Sequence, residues 1–193
     1  MEKLEFDTII GDNFSWSLER CSGAGPAMDD IDRSLLGILQ QNATLSMAQM
    51  AERVGLSATP CWKRIQKLEA AGVITRRVAL VDPDRVGVGL SVLVSIEAGE
   101  HTPEWLERFS LGIGALPEVM EAYRMAGDVD YMLRVAVADM AEYDAFYKRL
   151  IAIAPMKNVT SRFAMERLKH TTAYPLHARA FRDRRAPDHA DEE

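Results

Sequence analysis

The repeat of apolar residues changes character at Asp82-Pro83-Asp84, and that change constrains the fold more than any other feature of the chain. Before it, apolar side chains recur every three to four residues, as on helices; after it, they alternate, as on strands. An Asp-Pro-Asp turn between two such regimes marks a domain boundary. The expected fold class is therefore α+β, with a helical N-terminal unit and a sheet-containing C-terminal unit. A chain of 193 residues is long enough for both.

In the helical half, Ile31, Leu35, Leu36 and Leu39 fall at helical spacing behind the acids Asp29, Asp30 and Asp32, and Asn42-Ala43-Thr44 ends that helix. Ser46-Met47-Ala48-Gln49 has the form of a capping box, opening a short helix with Met47, Met50, Ala51 and Val54 inward. Gly55-Leu56 supplies a turn. Ser57 or Thr59 caps the next helix, Pro60 sits in its first turn and Gly72 closes it. Two short helices around a glycine-containing turn are the helix-turn-helix signature. Val73-Ile74 and Thr75-Arg76-Arg77, running towards Val78–Val81, read as a strand and a basic wing.

On the second of these helices, Cys61, Ile65 and Leu68 share one face, and Trp62, Lys63, Gln66 and Lys67 share the opposite one. Such an outer stripe suits a DNA major groove, with cations for phosphates and an amide for base edges. Arg64 lies on the flank, placed either to reach DNA or to pair with an acid of the first helix. The candidate DNA-binding set is Ser57, Thr59, Trp62, Lys63, Arg64, Gln66, Lys67, Arg76 and Arg77. The net charge of −6 argues against a nucleic-acid partner only in total. From Ser57 to Arg77 the bases Lys63, Arg64, Lys67, Arg76 and Arg77 face the single acid Glu69, and local sign governs a small docking surface. Cys61 reads as a small buried hydrophobe in preference to a redox sensor.

Beyond Asp84 the order of expected elements is βαββαβ. Strands fall at Val88–Ala98, Val119–Ala126, Tyr131–Val137 and Val159–Leu168. One helix is opened by Thr102-Pro103 and carries Trp105, Leu106, Phe109 and Ile113. The other is opened by Asp139 and carries Tyr143, Tyr147, Leu150 and Ala154. This is the ferredoxin-like split unit. Its two helices cover one face of the sheet, and the open face predicts a large apolar patch and hence dimerisation.

Other classes are excluded or unsupported. No apolar run reaches membrane-spanning length and no secretory signal opens the chain, so no membrane partner and a cytoplasmic, nucleoid-associated location are expected. Cys21 and Cys61 give neither a disulfide framework nor metal-ligand spacing. His101, His170, His177 and His189 are scattered, with no nucleophile set or phosphate loop. An enzyme, a cofactor and a metal are therefore not expected.

From about Asp29 to about Leu176 the chain resembles the Lrp/AsnC (leucine-responsive/asparagine regulator) family of prokaryotic transcription factors. The segments that carry the resemblance are Met28-Asp29-Asp30-Ile31-Asp32, Gly55-Leu56-Ser57, Thr59-Pro60-Cys61, Leu68-Glu69, Gly72-Val73-Ile74 and Asp82-Pro83. In the second half they are Ala126-Gly127-Asp128-Val129-Asp130-Tyr131, Ser161-Arg162-Phe163-Ala164-Met165 and Tyr174-Pro175-Leu176. The resemblance implies a winged helix-turn-helix over 28–81, a hinge strand over 82–87 and an amino-acid-binding, oligomerising domain over 88–177. Residues 1–27 read as a poorly ordered extension from an upstream start codon, and 178–193 as a disordered mixed-charge tail.

The resemblance further implies a sequence-specific regulator of double-stranded DNA that self-associates as a dimer or a tetramer of dimers. A small amino acid would sit between dimers near Gly127, Asp128, Asp130, Tyr131, Ser161 and Phe163. Asp128 and Asp130 read equally as simple turn residues or as ligands of the effector ammonium. Thr59–Arg64, Arg124–Gly127 and Tyr143–Leu150 are similar to a cysteine-sensing subgroup, which makes L-cysteine the candidate effector. The alternative is an architectural or autoregulatory DNA-binding protein with no effector.

Overall fold

The computed structural model describes residues 27–176; the expected tail and all but the last residue of the expected extension lie outside them. The described residues form two compact units, 27–79 together with 169–176, and 80–168.

The first unit contains α1 (Asp30–Gln41), α2 (Met47–Arg53) and α3 (Ala58–Ala70). Each start has a local cause. Asp29 caps α1 in a reciprocal box with Asp32, and Ser46 does the same for α2 with Gln49. Ser57 occupies the N-cap of α3 in extended conformation but makes no side-chain cap bond. Gly55 (φ 69°) turns the chain between α2 and α3, and Gly72 (φ 68°) ends α3, with the Val73 N–H returning to the Leu68 carbonyl at 2.9 Å. Both positions are left-handed, where a Cβ is strained. The core is Leu35, Met50, Ala51, Cys61 and Ile65, all almost fully buried, with Ile31, Leu39, Met47, Val54 and Ile74 packed around it.

The expected wing does not form. Residues 73–81 contain no strand, and Val78, Leu80 and Val81 are exposed. A ribbon needs two strands and a reversal, and Thr75–Val81 supplies one extended segment with no turn residue in it. The hinge strand expected over 82–87 is instead a compact turn. The Asp82 carboxylate accepts the N–H groups of Asp84 and Arg85, and the Val88 N–H reaches the Pro83 carbonyl at 2.9 Å.

The second unit runs β1 (Leu90–Ala98), α4 (Pro103–Gly114), β2 (Val119–Arg124), β3 (Tyr131–Val137), α5 (Met140–Ile153) and β4 (Met156–Phe163). The strands form one antiparallel sheet in the order β2-β3-β1-β4, the ferredoxin-like arrangement. Thr102 caps α4 ahead of Pro103, and Asp139 caps α5. Val92, Val94 and Ile96 of β1 and Leu133, Val135 and Val137 of β3 pack against Trp105, Phe109, Ile113, Tyr143, Phe146 and Leu150 of the two helices. Phe146, not singled out in the sequence, is fully buried, while Tyr147 is half-buried. Strand β4 stops at Phe163, five residues before the expected end.

The open face of the sheet differs from expectation. Leu93, Tyr123 and Met132 share it with Ser91, Ser95, Glu121, Arg134 and Arg162, by the register of the ladders. Arg134 Nε and Nη2 both donate to Glu121 Oε1, at 2.8 and 2.6 Å, and Arg162 donates to Ser95. This face is mixed, not a large apolar patch. Among the described residues, no helix is long and apolar enough to cross a membrane.

The chain after β4 also departs from the expected 88–177 domain, because 169–176 lies on the helical unit. The Gln40 amide grips the backbone of Tyr174 from both sides. Its Oε1 accepts the Tyr174 N–H at 2.6 Å and its Nε2 donates to the Tyr174 carbonyl at 3.3 Å.

Candidate nucleic-acid interface and effector loop

The periodicity of α3 decides which side chains are available outside it. Cys61, Ile65 and Leu68 are buried, and burial pushes the Cys61 thiol up from its ordinary range. On the outer side Lys63, Gln66 and Lys67 are exposed, and Trp62 is 50% exposed. Neither the Lys63 nor the Lys67 ammonium has a partner among the described residues. One helical turn separates them, so they present two mobile cations along one line.

Three other members of the candidate set are engaged within the unit. Gln66 Nε2 donates to Glu69 Oε2 at 2.8 Å, and Arg77 Nη2 pairs with Glu69 Oε1 at 2.7 Å. Arg64 Nη1 sits 2.7 Å from both Asp29 Oδ2 and Asp32 Oδ1. Of the two readings of Arg64, pairing with acids of the first helix is the one observed. Ser57, Thr59 and Arg76 are exposed at the start and just beyond the end of α3. The unbonded Ser57 hydroxyl and the first-turn amides of α3 form a partial positive end suited to a phosphate.

The candidate effector residues do not form one cluster. Gly127 (φ 143°) and Asp128 are exposed in the turn between β2 and β3. Asp130 closes that turn: its Oδ2 accepts the Ala98 N–H at 2.8 Å, its carbonyl accepts the Met125 N–H at 2.8 Å, and its N–H reaches the Ile96 carbonyl at 3.0 Å. Tyr131 faces the core, its ring centroid 5.6 Å from Trp105 and 4.7 Å from Phe109, and burial raises its phenol pKa. It is therefore a core residue and not a wall of an open pocket. Ser161 and Phe163 lie on β4, at the opposite edge of the sheet from β2. The Ser161 hydroxyl is hydrogen-bonded to the Tyr143 hydroxyl, and Phe163 stands edge-on to the Tyr143 ring at 5.1 Å. Two strands separate this pair from β2, and β1 alone separates it from Asp130, which is bonded to Ile96 and Ala98 of β1.

For Arg64 the sequence pointed to an acid of the first helix without saying which; Glu69 as the acid shared by Gln66 and Arg77, and Tyr143 beside Ser161, were not anticipated. The spacing Asp29-x-x-Asp32 was a readable capping signal. Gln66 and Glu69 are an i,i+3 pair that helical spacing brings together, whereas Tyr143 and Ser161 lie on different elements.

A trihelical unit with an outward basic helix, joined to a ferredoxin-like domain, defines a DNA-binding regulator with a ligand-binding domain. A family model described as winged helix-turn-helix DNA-binding matches residues 28–75, and one described as the Lrp/AsnC ligand-binding domain matches 91–174. The chain is 49% identical over 150 residues to the DNA-binding transcriptional activator DecR of Escherichia coli K12, covering 77% of this chain and 99% of that protein. A crystal structure of an AsnC-family transcriptional regulator from Agrobacterium tumefaciens, 57% identical, superposes with a TM-score of 0.75 over 77% of this chain and 97% of the other. A transcriptional regulator of Neisseria meningitidis in complex with L-methionine, 30% identical, superposes with a TM-score of 0.74 over 78% and 97%. The chain belongs to the Lrp/AsnC family of transcriptional regulators.

Proposed function

We propose that the chain reads DNA through the outer face of α3 and answers to L-cysteine bound at the β2–β3 turn. The observation that carries the first part is the pair of ammonium groups of Lys63 and Lys67, without a partner among the described residues, on an exposed helical line. They neutralise phosphates and supply affinity, while Gln66 and Trp62 meet base edges and sugar. Ser57, Thr59 and Arg76 take flanking phosphates, and Arg77 joins them when Glu69 releases it.

For the effector, the backbone N–H groups around Gly127 hold the α-carboxylate, and Asp128, exposed beside them, receives the α-ammonium. Asp130 shapes the turn by holding Ala98. Because Ser161 and Phe163 lie at the other edge of the sheet, they complete such a pocket only when a second copy supplies them. This reading makes self-association part of effector binding. Two reading heads on one dimer then meet half-sites one helical turn, or a multiple of it, apart.

Calorimetry of the full chain against the twenty amino acids, with footprinting of its own upstream region with and without cysteine, tests this. Binding of cysteine and a changed footprint are expected. Heat with methionine and none with cysteine overturns the cysteine assignment, and an unchanged footprint with every amino acid favours the effector-independent reading.

A further inference from the structure

The polar network that joins the start of α1 to the middle of α3 closes on itself. Asp29 Oδ1 accepts the Asp32 N–H at 2.8 Å, and Asp32 Oδ2 accepts the Asp29 N–H at 3.3 Å. The two remaining oxygens, Asp29 Oδ2 and Asp32 Oδ1, each accept a hydrogen bond from Arg64 Nη1 at 2.7 Å. All four carboxylate oxygens are used, and one guanidinium nitrogen bridges both acids. Asp32 is only 4% exposed, so its charge depends on that bridge.

We propose that Arg64 is a positioning residue of the reading head, fixing the roll of α3 through Asp29 and Asp32, and not itself a phosphate contact. The proposal rests on α3 being the reading helix. The apolar anchors Cys61, Ile65 and Leu68 set which face of α3 lies inward, and the bridge at its flank adds bonds that fix the finer rotation. Charge-assisted hydrogen bonds are directional. A roll of 15° moves a side-chain tip on a helix of this radius by about 1.5 Å, and base-edge bonds tolerate only a few tenths of an ångström.

Charge points the same way. One guanidinium shared by two carboxylates has its charge fully compensated, so Arg64 offers no free cation to a phosphate. Asp29, Asp32 and Arg64 line one depression of about 610 Å³ together with Lys63 and Lys67. Within it the lysine ammonium groups, which have no partner among the described residues, are the cations left for a phosphate. The neighbouring groups agree with a tight bridge: the Asp32 N–H first and Arg64 second hold the Asp29 carboxyl below its ordinary range, and Asp32 and Asp29 push the guanidinium up.

The test compares the full-length chain with Arg64→Gln, Asp29→Asn and the double variant. Each is titrated with a duplex that the parent protein selects from a random library, with a scrambled duplex, and at several salt concentrations. Asparagine caps a helix as well as aspartate, so Asp29→Asn removes charge and leaves the cap. Each single variant is expected to lose about ten-fold in affinity for the selected duplex, the scale of one lost base contact. Affinity for scrambled DNA and the salt slope stay unchanged, and the double variant is no worse than either single one. A salt slope lowered by about 0.9 in Arg64→Gln makes Arg64 a phosphate contact and overturns the proposal. Tighter binding of both duplexes by Asp29→Asn, the result of simple charge removal, overturns it too. Lys63→Ala serves as the control: if it leaves binding of both duplexes intact, the assignment of α3 as reading helix fails, whatever Arg64 does.

Discussion

Removing both free cations of α3 gives a quantitative prediction. Lys63→Ala/Lys67→Ala deletes two ammonium groups that touch no acid among the described residues and lie one turn apart on the exposed face. Each phosphate neutralised releases counterions and contributes about 0.9 to the slope of log affinity against log salt. Two lost contacts lower that slope by about 1.8 per reading head, so across a four-fold rise in salt the variant's affinity changes about twelve-fold less than the parent's. Fold loss does not confound the result, because alanine favours helix and both sites are exposed; the change in stability stays within about 0.5 kcal/mol. Fluorescence anisotropy on a mixed-sequence duplex reads the slope, and a thermal melt checks the fold. An unchanged slope in a folded variant refutes the docking of α3 on the phosphate backbone. Weaker binding at an unchanged slope refutes the phosphate role of these lysines.

Gly37 and Gly112 should respond oppositely to alanine. A Cβ on Gly37 in α1 meets nothing within 4 Å, so Gly37→Ala stabilises by about 0.5–1 kcal/mol. On Gly112 in α4 it would fall 2.4 Å from Ile153 Cγ2, and overpacking of about 1–3 kcal/mol outweighs the helix gain; denaturant melts that rank the two the other way reject the helix packing described for α4 and α5. Cys61, fully buried with a raised thiol pKa, should react with a thiol reagent no faster than the chain unfolds, in a Cys21→Ser background that leaves it as the only thiol. Rapid stoichiometric labelling of the native protein would contradict its burial. Asp29 has a folded pKa below its ordinary 3.8, so the stability it supplies is present above about pH 4 and is lost as pH falls through the folded value. The melting temperatures of the parent and Asp29→Asn should therefore differ at neutral pH and converge as pH falls through the folded value; a gap that does not narrow in acid rules out ionisation of Asp29 as its source.

What the sequence made legible were features with a local cause. The Ser46–Gln49 box, the Thr102-Pro103 start of α4, Gly72 and the alternation through Tyr131–Val137 all depend on neighbours within a few residues, and each appears in the structure. The face of α3 was legible for the same reason, since 100° per residue fixes which side Cys61 and Lys63 take. Contacts that join distant segments were not. Arg64 was ambiguous because its partners lie 32 and 35 residues away, and the grip of Gln40 on Tyr174 spans 134 residues. The wing failed for a different reason. Val78–Val81 has β-forming composition, but a strand also needs a partner, and composition does not say whether one is present. Tyr131 was placed in the effector set by a motif, although its position in the strand alternation already put it with Leu133 and Val135 in the core.

The sorting of charge explains how a chain of net charge −6 can hold a DNA-reading surface. Of the five bases between Ser57 and Arg77, Arg64 is consumed by Asp29 and Asp32, and Arg77 by Glu69. Lys63, Lys67 and Arg76 remain, giving a non-specific slope of about 2.7 per reading head if each meets one phosphate. The paired arginines are not wasted cations. They hold rigid guanidinium geometry against fixed acids, a task that suits arginine, while the flexible lysines stay free for a phosphate whose position varies with sequence. The acids at Asp29, Asp32 and Glu69 therefore weaken the face as a charge but sharpen it as a shape. Neutralising Asp29 and Asp32 would be predicted to lower the preference for a selected duplex without raising affinity for a scrambled one, whereas neutralising Glu69 frees Arg77 and raises affinity for both.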